Sequence, residues 1–132
     1  MLTLHNPQDV QPPFAPLSWG VGLAKPQRMV FVSGQVGADV LGRIPDDFID
    51  QCRLTWNSVG SVLRDAGMVP ADIVRTGIFI TRHVEMTEET TKRFNALRVA
   101  FLGDHRPAST MIMVHALMNP HWLVEIDAVA VA

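Results

Sequence analysis

Met111-Ile112-Met113-Val114-His115-Ala116-Leu117-Met118, followed after Asn119-Pro120-His121-Trp122 by Leu123-Val124-Glu125-Ile126-Asp127-Ala128-Val129-Ala130-Val131-Ala132, is the stretch that decides the fold. Every residue of the first segment except His115 is apolar, and the segment is too short and too close behind Pro107 for a stable helix. A continuous apolar run of this length suits a strand buried on both faces, so residues 111–118 are expected to form a central strand. The second segment alternates, with Val124, Ile126, Ala128 and Ala130 on one side and Leu123, Glu125, Asp127, Val129 and Val131 on the other. Asn119-Pro120 reads as a turn through which the two strands pair.

Upstream, the period changes from two to that of a helix. Ile49, Cys52, Trp56, Val59, Leu63 and Ala66 form one apolar stripe, with Asp46 and Asp47 at its positive end and Gly67 at its stop. Gly60 inside that helix costs about 1 kcal/mol relative to alanine, which suggests close packing against the sheet. Residues 73–80 read as a strand. A second helix begins near Thr87, with Glu88 and Glu89 in its first turn and Phe94, Leu97 and Phe101 on one face, and it ends at Gly103 before Pro107. Nearer the start, Trp19, Val21 and Leu23 alternate, Lys25-Pro26 turns, and residues 29–32 form a strand expected to stop at Ser33-Gly34. Residues 1–18 hold Pro7, Pro12, Pro13 and Pro16 and are expected to be an extended arm ending in a short strand. The expectation is a single α+β domain over residues 1–132.

Two helices cover only one face of such a sheet, and Met111, Met113, Val129 and Val131 are read as making the other face apolar too. Only 18% of the residues are charged, so a homo-oligomer with facing sheets is the simplest way to hide that surface. Eleven basic residues against thirteen acidic ones, net charge −2, argue against nucleic-acid binding. No apolar stretch approaches the length that spans a bilayer, and the N-terminus lacks a signal-peptide pattern. Cys52 is the only cysteine, which fits a reducing, cytoplasmic compartment.

The chemistry-bearing residues are sparse. Ser33, in Ser-Gly-Gln-Val-Gly, lacks the Gly-x-Ser-x-Gly frame of a nucleophile elbow. A Gly-flanked polar corner presenting backbone N–H groups to a ligand oxygen is the functional alternative to a plain strand end. His5, His83, His105, His115 and His121 are scattered without metal-ligand spacing, so neither a metal nor another cofactor is expected. His115 is read as a hydrogen-bonded residue of a buried face, with an acid/base role as the alternative. Glu125 is the strongest candidate: a carboxylate in an apolar strand is desolvated, paired, or placed at a cleft, and burial raises its pKa towards proton-shuttling range. A salt-bridged structural role stands as the alternative. Met111, Met113 and Met118 read as core or pocket lining, Glu85, Glu88 and Glu89 as helix-dipole compensation, and Cys52 as an inert core thiol.

Phe-Val-Ser-Gly-Gln-Val-Gly at 31–37, Asp50-Gln51-Cys52, Leu63-Arg64-Asp65-Ala66-Gly67, Asp72-Ile73-Val74-Arg75, Phe94-Asn95, Arg106-Pro107-Ala108-Ser109-Thr110 and Val124-Glu125-Ile126-Asp127-Ala128-Val129-Ala130 occur in this order. Together they resemble the Rid (YjgF-like) family of reactive intermediate imine deaminases, from about Pro12 onward. The resemblance implies a chorismate-mutase-like fold with a mixed sheet of about six strands and two helices on one face. It also implies a homotrimer whose sheets form a central barrel, with small-molecule clefts between neighbours. Better-known members hydrolyse imines and enamines to a 2-oxo acid and ammonia. An arginine clamps the substrate carboxylate, a glutamate handles water, and the Ser-Gly corner helps hold the ligand.

Glu125, Ser33, Gly34 and Asn95 match that pattern, but the clamp position holds Ser109, and Leu17 and Trp19 stand where many members carry tyrosine and glutamine. Serine donates one hydrogen bond and no positive charge. Arg106 and Arg98 are the arginines that could replace the clamp. The cleft is expected to be less selective for carboxylates and more apolar, through Leu17, Trp19 and Met111. Two readings follow: a small-metabolite-binding trimer that hydrolyses an imine, enamine or related C–N bond with Glu125 and water, or a binding or regulatory trimer that has lost deamination. Ribonuclease activity ranks third because no basic or aromatic face supports it.

Overall fold

The computed structural model describes residues 2–132. Alternation in β6 (Val124–Val131) places Val124, Ile126, Ala128 and Ala130 in the core, and this strand is the spine of the main sheet. β3 (Met29–Val36) lies antiparallel on one side of it, and β4 (Ile73–Thr81) lies antiparallel on the other. β5 (Ala108–Val114) completes the order β3-β6-β4-β5, parallel to β4. A separate antiparallel hairpin joins β1 (Leu2–His5) to β2 (Gly20–Leu23). With helices α1 (Phe48–Asp65) and α2 (Glu88–Leu102), the described residues hold six strands in two sheets, two α-helices and a short 3-10 turn at Pro70–Asp72. Among the described residues no helix is long and apolar enough to cross a membrane.

The helices form where the stripe and caps place them. The Asp47 carboxylate accepts the Asp50 amide at 2.9 Å, and the Thr87 hydroxyl oxygen accepts the Thr90 amide at 3.1 Å, so each satisfies one unpaired donor of a first turn. Gly67 and Gly103 adopt positive φ just beyond the helix ends. Ile49, Cys52, Trp56, Val59 and Leu63 are all buried. Phe48 stacks on Phe94 at 6.1 Å, and Trp56 on Phe101 at 4.9 Å, which ties α1 to α2. Gly60 serves that helix–helix contact rather than the sheet: a Cβ there would lie 3.1 Å from the Phe101 ring.

Several expectations are corrected. Residues 111–118 are not a central strand: β5 stops at Val114, lies at the sheet edge, and does not pair with β6 through Asn119-Pro120. Parallel pairing needs a crossover, and α2 supplies it, so β5 is delivered beside β4. Its residues are therefore open, with Met111, Ile112 and Met113 at 43%, 45% and 51% exposure. His115 lies beyond the strand and is exposed, not part of a buried face. Met111 and Met113 stand opposite Ile78 and Ile80, on the helix side of the sheet but beyond the helices' reach. Val129 lies on the open face as expected and is joined there by Phe31, at 73% exposure, Phe79 and Ile112, whereas Val131 is buried. β3 runs through Ser33-Gly34 to Val36, with an irregular register between Val32 and Gln35. The N-terminal arm carries a strand at Leu2–His5 and ends in a single bridge, from Ser18 to Ala108, rather than in a short strand.

Candidate functional site

Glu125 occupies the second position of β6, on the face away from the helices, opposite Val36 and Phe79. Its carboxyl lies over the backbone of Gly34: a Cβ on residue 34 would stand 2.7 Å from Glu125 Cδ, a contact real side chains do not make. Glu125 is half-buried rather than fully desolvated. The ion pairs among the described residues are Arg43–Asp39, Arg53–Asp50 and Arg75–Asp127, so the salt-bridged structural role is not seen. Ser33 and Gly34 are exposed at the register irregularity of β3, and the Ser33 carbonyl accepts the Gln35 side-chain amide at 3.0 Å. The result is an acceptor carboxylate over an open strand kink.

The remaining candidates gather on the other side of the sheet. Ser109 lies beside Thr76, whose hydroxyl donates to Ser109 Oγ at 2.8 Å. The N-terminal arm crosses here: the Ser18 amide donates to the Pro107 carbonyl at 3.1 Å, and Ser18 bridges to Ala108. That contact brings Leu17 and Trp19 to the start of β5. The Trp19 indole donates to the Gln11 carbonyl at 2.6 Å and meets the Phe14 ring edge-on at 5.6 Å. Met111 follows Ser109 along the same face. Asn95 on α2 keeps its buried Oδ1 without a partner.

Neither arginine stands free as a clamp. Arg106 folds back to donate to the Gly103 carbonyl at 2.6 Å and the His105 carbonyl at 2.9 Å, closing the end of α2. Arg98 is 1% exposed, with Nε and Nη2 lacking any hydrogen-bond partner. Burial, with the Arg106 charge second, lowers its pKa to about 10.

One positioning residue had no role assigned from sequence. Gln51, fully buried on α1, donates its side-chain amide to the Pro45 carbonyl at 2.8 Å and the His121 carbonyl at 2.9 Å, while its Oε1 accepts the Leu123 amide at 2.9 Å. Gly37 leaves room for it, since a Cβ there would collide with Gln51 Cβ. Gln51 thus ties the entry to β6, next to Glu125, to the lead-in of α1, and it packs against Gly37 just beyond β3. A glutamine next to the Cys52 core position was the available signal, because an amide in a buried stripe must find backbone partners.

The sequence profile of the endoribonuclease L-PSP family matches residues 11–132. The chain belongs to this family, the Rid/YjgF family. TdcF of Escherichia coli K12 is 33% identical over 107 residues, covering 78% of each chain. The 2-iminobutanoate/2-iminopropanoate deaminase of the same strain is 30% identical over 107 residues, 78% of this chain and 79% of that protein. Among solved structures, the Rid protein YyfB of Yersinia pestis, of unknown function, superimposes with TM-score 0.86 at 27% identity over 99% of this chain and 98% of that one. E. coli TdcF with bound serine superimposes with TM-score 0.69 at 28% identity, covering 98% of both chains. The Rid fold expected from the motifs is therefore the fold of this chain.

Proposed function

We propose that this Rid-family chain forms a cytoplasmic homotrimer that binds a small metabolite in clefts between copies and, with no cofactor, uses Glu125 and water to hydrolyse an imine, enamine or related C–N bond. The observation that carries the reading is the division of the candidate residues between the two faces of one sheet. Glu125, Ser33 and Gly34 face one way, and Ser109, Met111, Leu17 and Trp19 the other. Residues so divided share a ligand only when a second copy brings its β5 edge to the first copy's open face. The apolar set Phe31, Phe79, Ile112 and Val129 gives that association a driving force.

In the proposed step the Glu125 carboxylate takes a proton from water as the oxygen attacks the imine carbon. Glu125 returns that proton to the nitrogen to give a carbinolamine, then carries the hydroxyl proton to the same nitrogen as the C–N bond breaks, so that ammonia leaves with a carbonyl product. The open carboxylate over Gly34 has the free lone pairs this requires. Relatives named for 2-imino acids, and one holding serine, support a small carboxylated ligand.

A second reading rests on Ser109. Its hydroxyl, bonded to Thr76, supplies no charge for a carboxylate, and Arg106 is committed to backbone carbonyls. This favours a binding trimer without deamination. Feeding the protein 2-iminobutanoate from a dehydratase separates the two: ammonia release well above background and lost in Glu125→Gln supports the enzyme. Background rates across a panel of imines, with a ligand still bound, support the binding protein. Size-exclusion chromatography with light scattering tests assembly, and a stable monomer at micromolar concentration overturns the intersubunit site.

A further inference from the structure

A groove between α1 and α2, on the face of the sheet opposite Glu125, encloses about 560 Å³, within the range of small-molecule sites. Its apolar wall comes from Trp56, Met68, Leu97 and Phe101, with the Trp56 and Phe101 rings stacked at an interplanar angle of 29°. Gly60 lies between them and adds no side chain. Arg53 and Arg64 also line the groove, and no acidic residue does. Arg53 is paired with Asp50 at 2.8 Å. Arg64 is different: it donates only to Ser61 Oγ, at 2.9 Å, and no carboxylate among the described residues lies within ion-pair distance of it. One Arg64 terminal nitrogen stands 3.5 Å from where a Gly60 Cβ would be, at the groove.

We infer that this groove is a second ligand site, for a small aromatic carboxylate. A planar apolar body fits against Phe101 and Leu97, and the carboxylate pairs with the unneutralised Arg64 guanidinium in the two-pronged geometry that arginine favours. The charge pattern selects this occupant: the unneutralised Arg64, with no carboxylate lining the groove, disfavours a cationic ligand, and an aliphatic anion would forgo the aromatic wall. The site is built within one chain, so it stands apart from the cleft proposed above.

The test uses the full-length protein in its native assembly, labelled for NMR, with phenylacetate, phenylacetamide and acetate as probes. Phenylacetate should shift the Trp56 indole and Met68 methyl signals saturably, and the other two probes should bind at least about tenfold more weakly, the scale of one charged hydrogen-bonded pair. Arg64→Met should weaken phenylacetate by a similar factor, and Ala100→Phe, at an exposed lining position, should abolish the shifts while leaving the remaining spectrum intact. Equal binding of phenylacetamide, indifference to Arg64→Met, or shifts confined to Ser109 and Glu125 would each overturn the assignment. So would concentration-dependent shifts of the same signals without a probe, which would mark the groove as a contact between copies.

Discussion

Glu125 lies where a side chain on residue 34 would have to be, with its Cδ 2.7 Å from the missing Cβ of Gly34. Gly34→Ala should therefore push the carboxyl aside. The neighbour that must move is the end of a flexible side chain, so the stability cost should stay within about 1 kcal/mol, low in the range for overpacked sites. Function that depends on Glu125 should fall about tenfold or more. Thermal melting and ammonia release or ligand affinity, measured on the same preparation, check the separation.

Gln51 should matter more to stability than its neutral side chain suggests. Gln51→Leu removes the partners of two carbonyls and the Leu123 amide in a buried site, and each unsatisfied group costs about 1–3 kcal/mol. Urea unfolding should show a loss of several kcal/mol, and Gln51→Glu should resemble it because a carboxylate cannot donate to Pro45 and His121. Gly37→Ala should be at least as damaging, since its Cβ would come within 2.6 Å of the Gln51 Cα.

Burial pushes the Cys52 thiol well above its ordinary pKa of 9.0, with the Asp47 charge adding to the effect. The native state keeps this proton where the unfolded chain would release it, so the contribution is fully present below pH 9 and is lost as pH rises. Stability should decline by up to about 1.4 kcal/mol per pH unit above that point from this group alone. A Cys52→Val variant should lack that part of the decline in denaturant titrations at pH 7 to 10. A thiol reagent should stay silent until the chain unfolds.

Arg98 carries a buried guanidinium near a second cation, Arg106, and no carboxylate among the described residues lies within ion-pair distance of it. Replacing it with Met, which fills similar volume, should stabilise the protein by about 1–4 kcal/mol, as in other exchanges of buried charge for packing. Chemical denaturation at pH 7 gives the sign.

Ser109→Arg should create or raise turnover of carboxylated imines if the absent clamp is what limits the cleft. Steady-state assays with 2-iminobutanoate, compared with an uncharged imine, should show the gain for the carboxylate alone. An unchanged ratio would mean the pocket differs beyond this one position.

What could be read along the chain depended on phase. The stripe from Ile49 to Leu63 and the alternation from Val124 to Ala130 each have a period, so both elements and their core faces followed directly from residue order. Met111, Ile112 and Met113 have none, and an unbroken apolar run does not say whether a strand is central or waiting at an edge. Its partner was set by the α2 crossover, a long-range event with no local mark. The motif residues were identifiable one by one, but Ser109 and Glu125 fall on opposite faces only because β5 pairs Ser109 with Thr76 while β6 pairs Glu125 with Phe79. Gln51 was visible as an oddity, and its role came from a loop closure that brings Pro45, His121 and Leu123 to one side chain.

The exposed edge of β5 also makes the protein chemically self-reporting. Met111, Met113 and Met118 are exposed in the single chain, as is Met29 on the opposite edge strand β3, whereas Met68 is buried and Met86 partly so. Mild peroxide would turn such side chains into polar sulfoxides. Mass-spectrometric mapping of which methionines resist will show, residue by residue, how much of this edge another molecule covers. Oxidation of Met111 or Met113 in a free chain would leave a polar group where a neighbour needs an apolar one, so oxidised subunits should be excluded from any assembly that uses this edge.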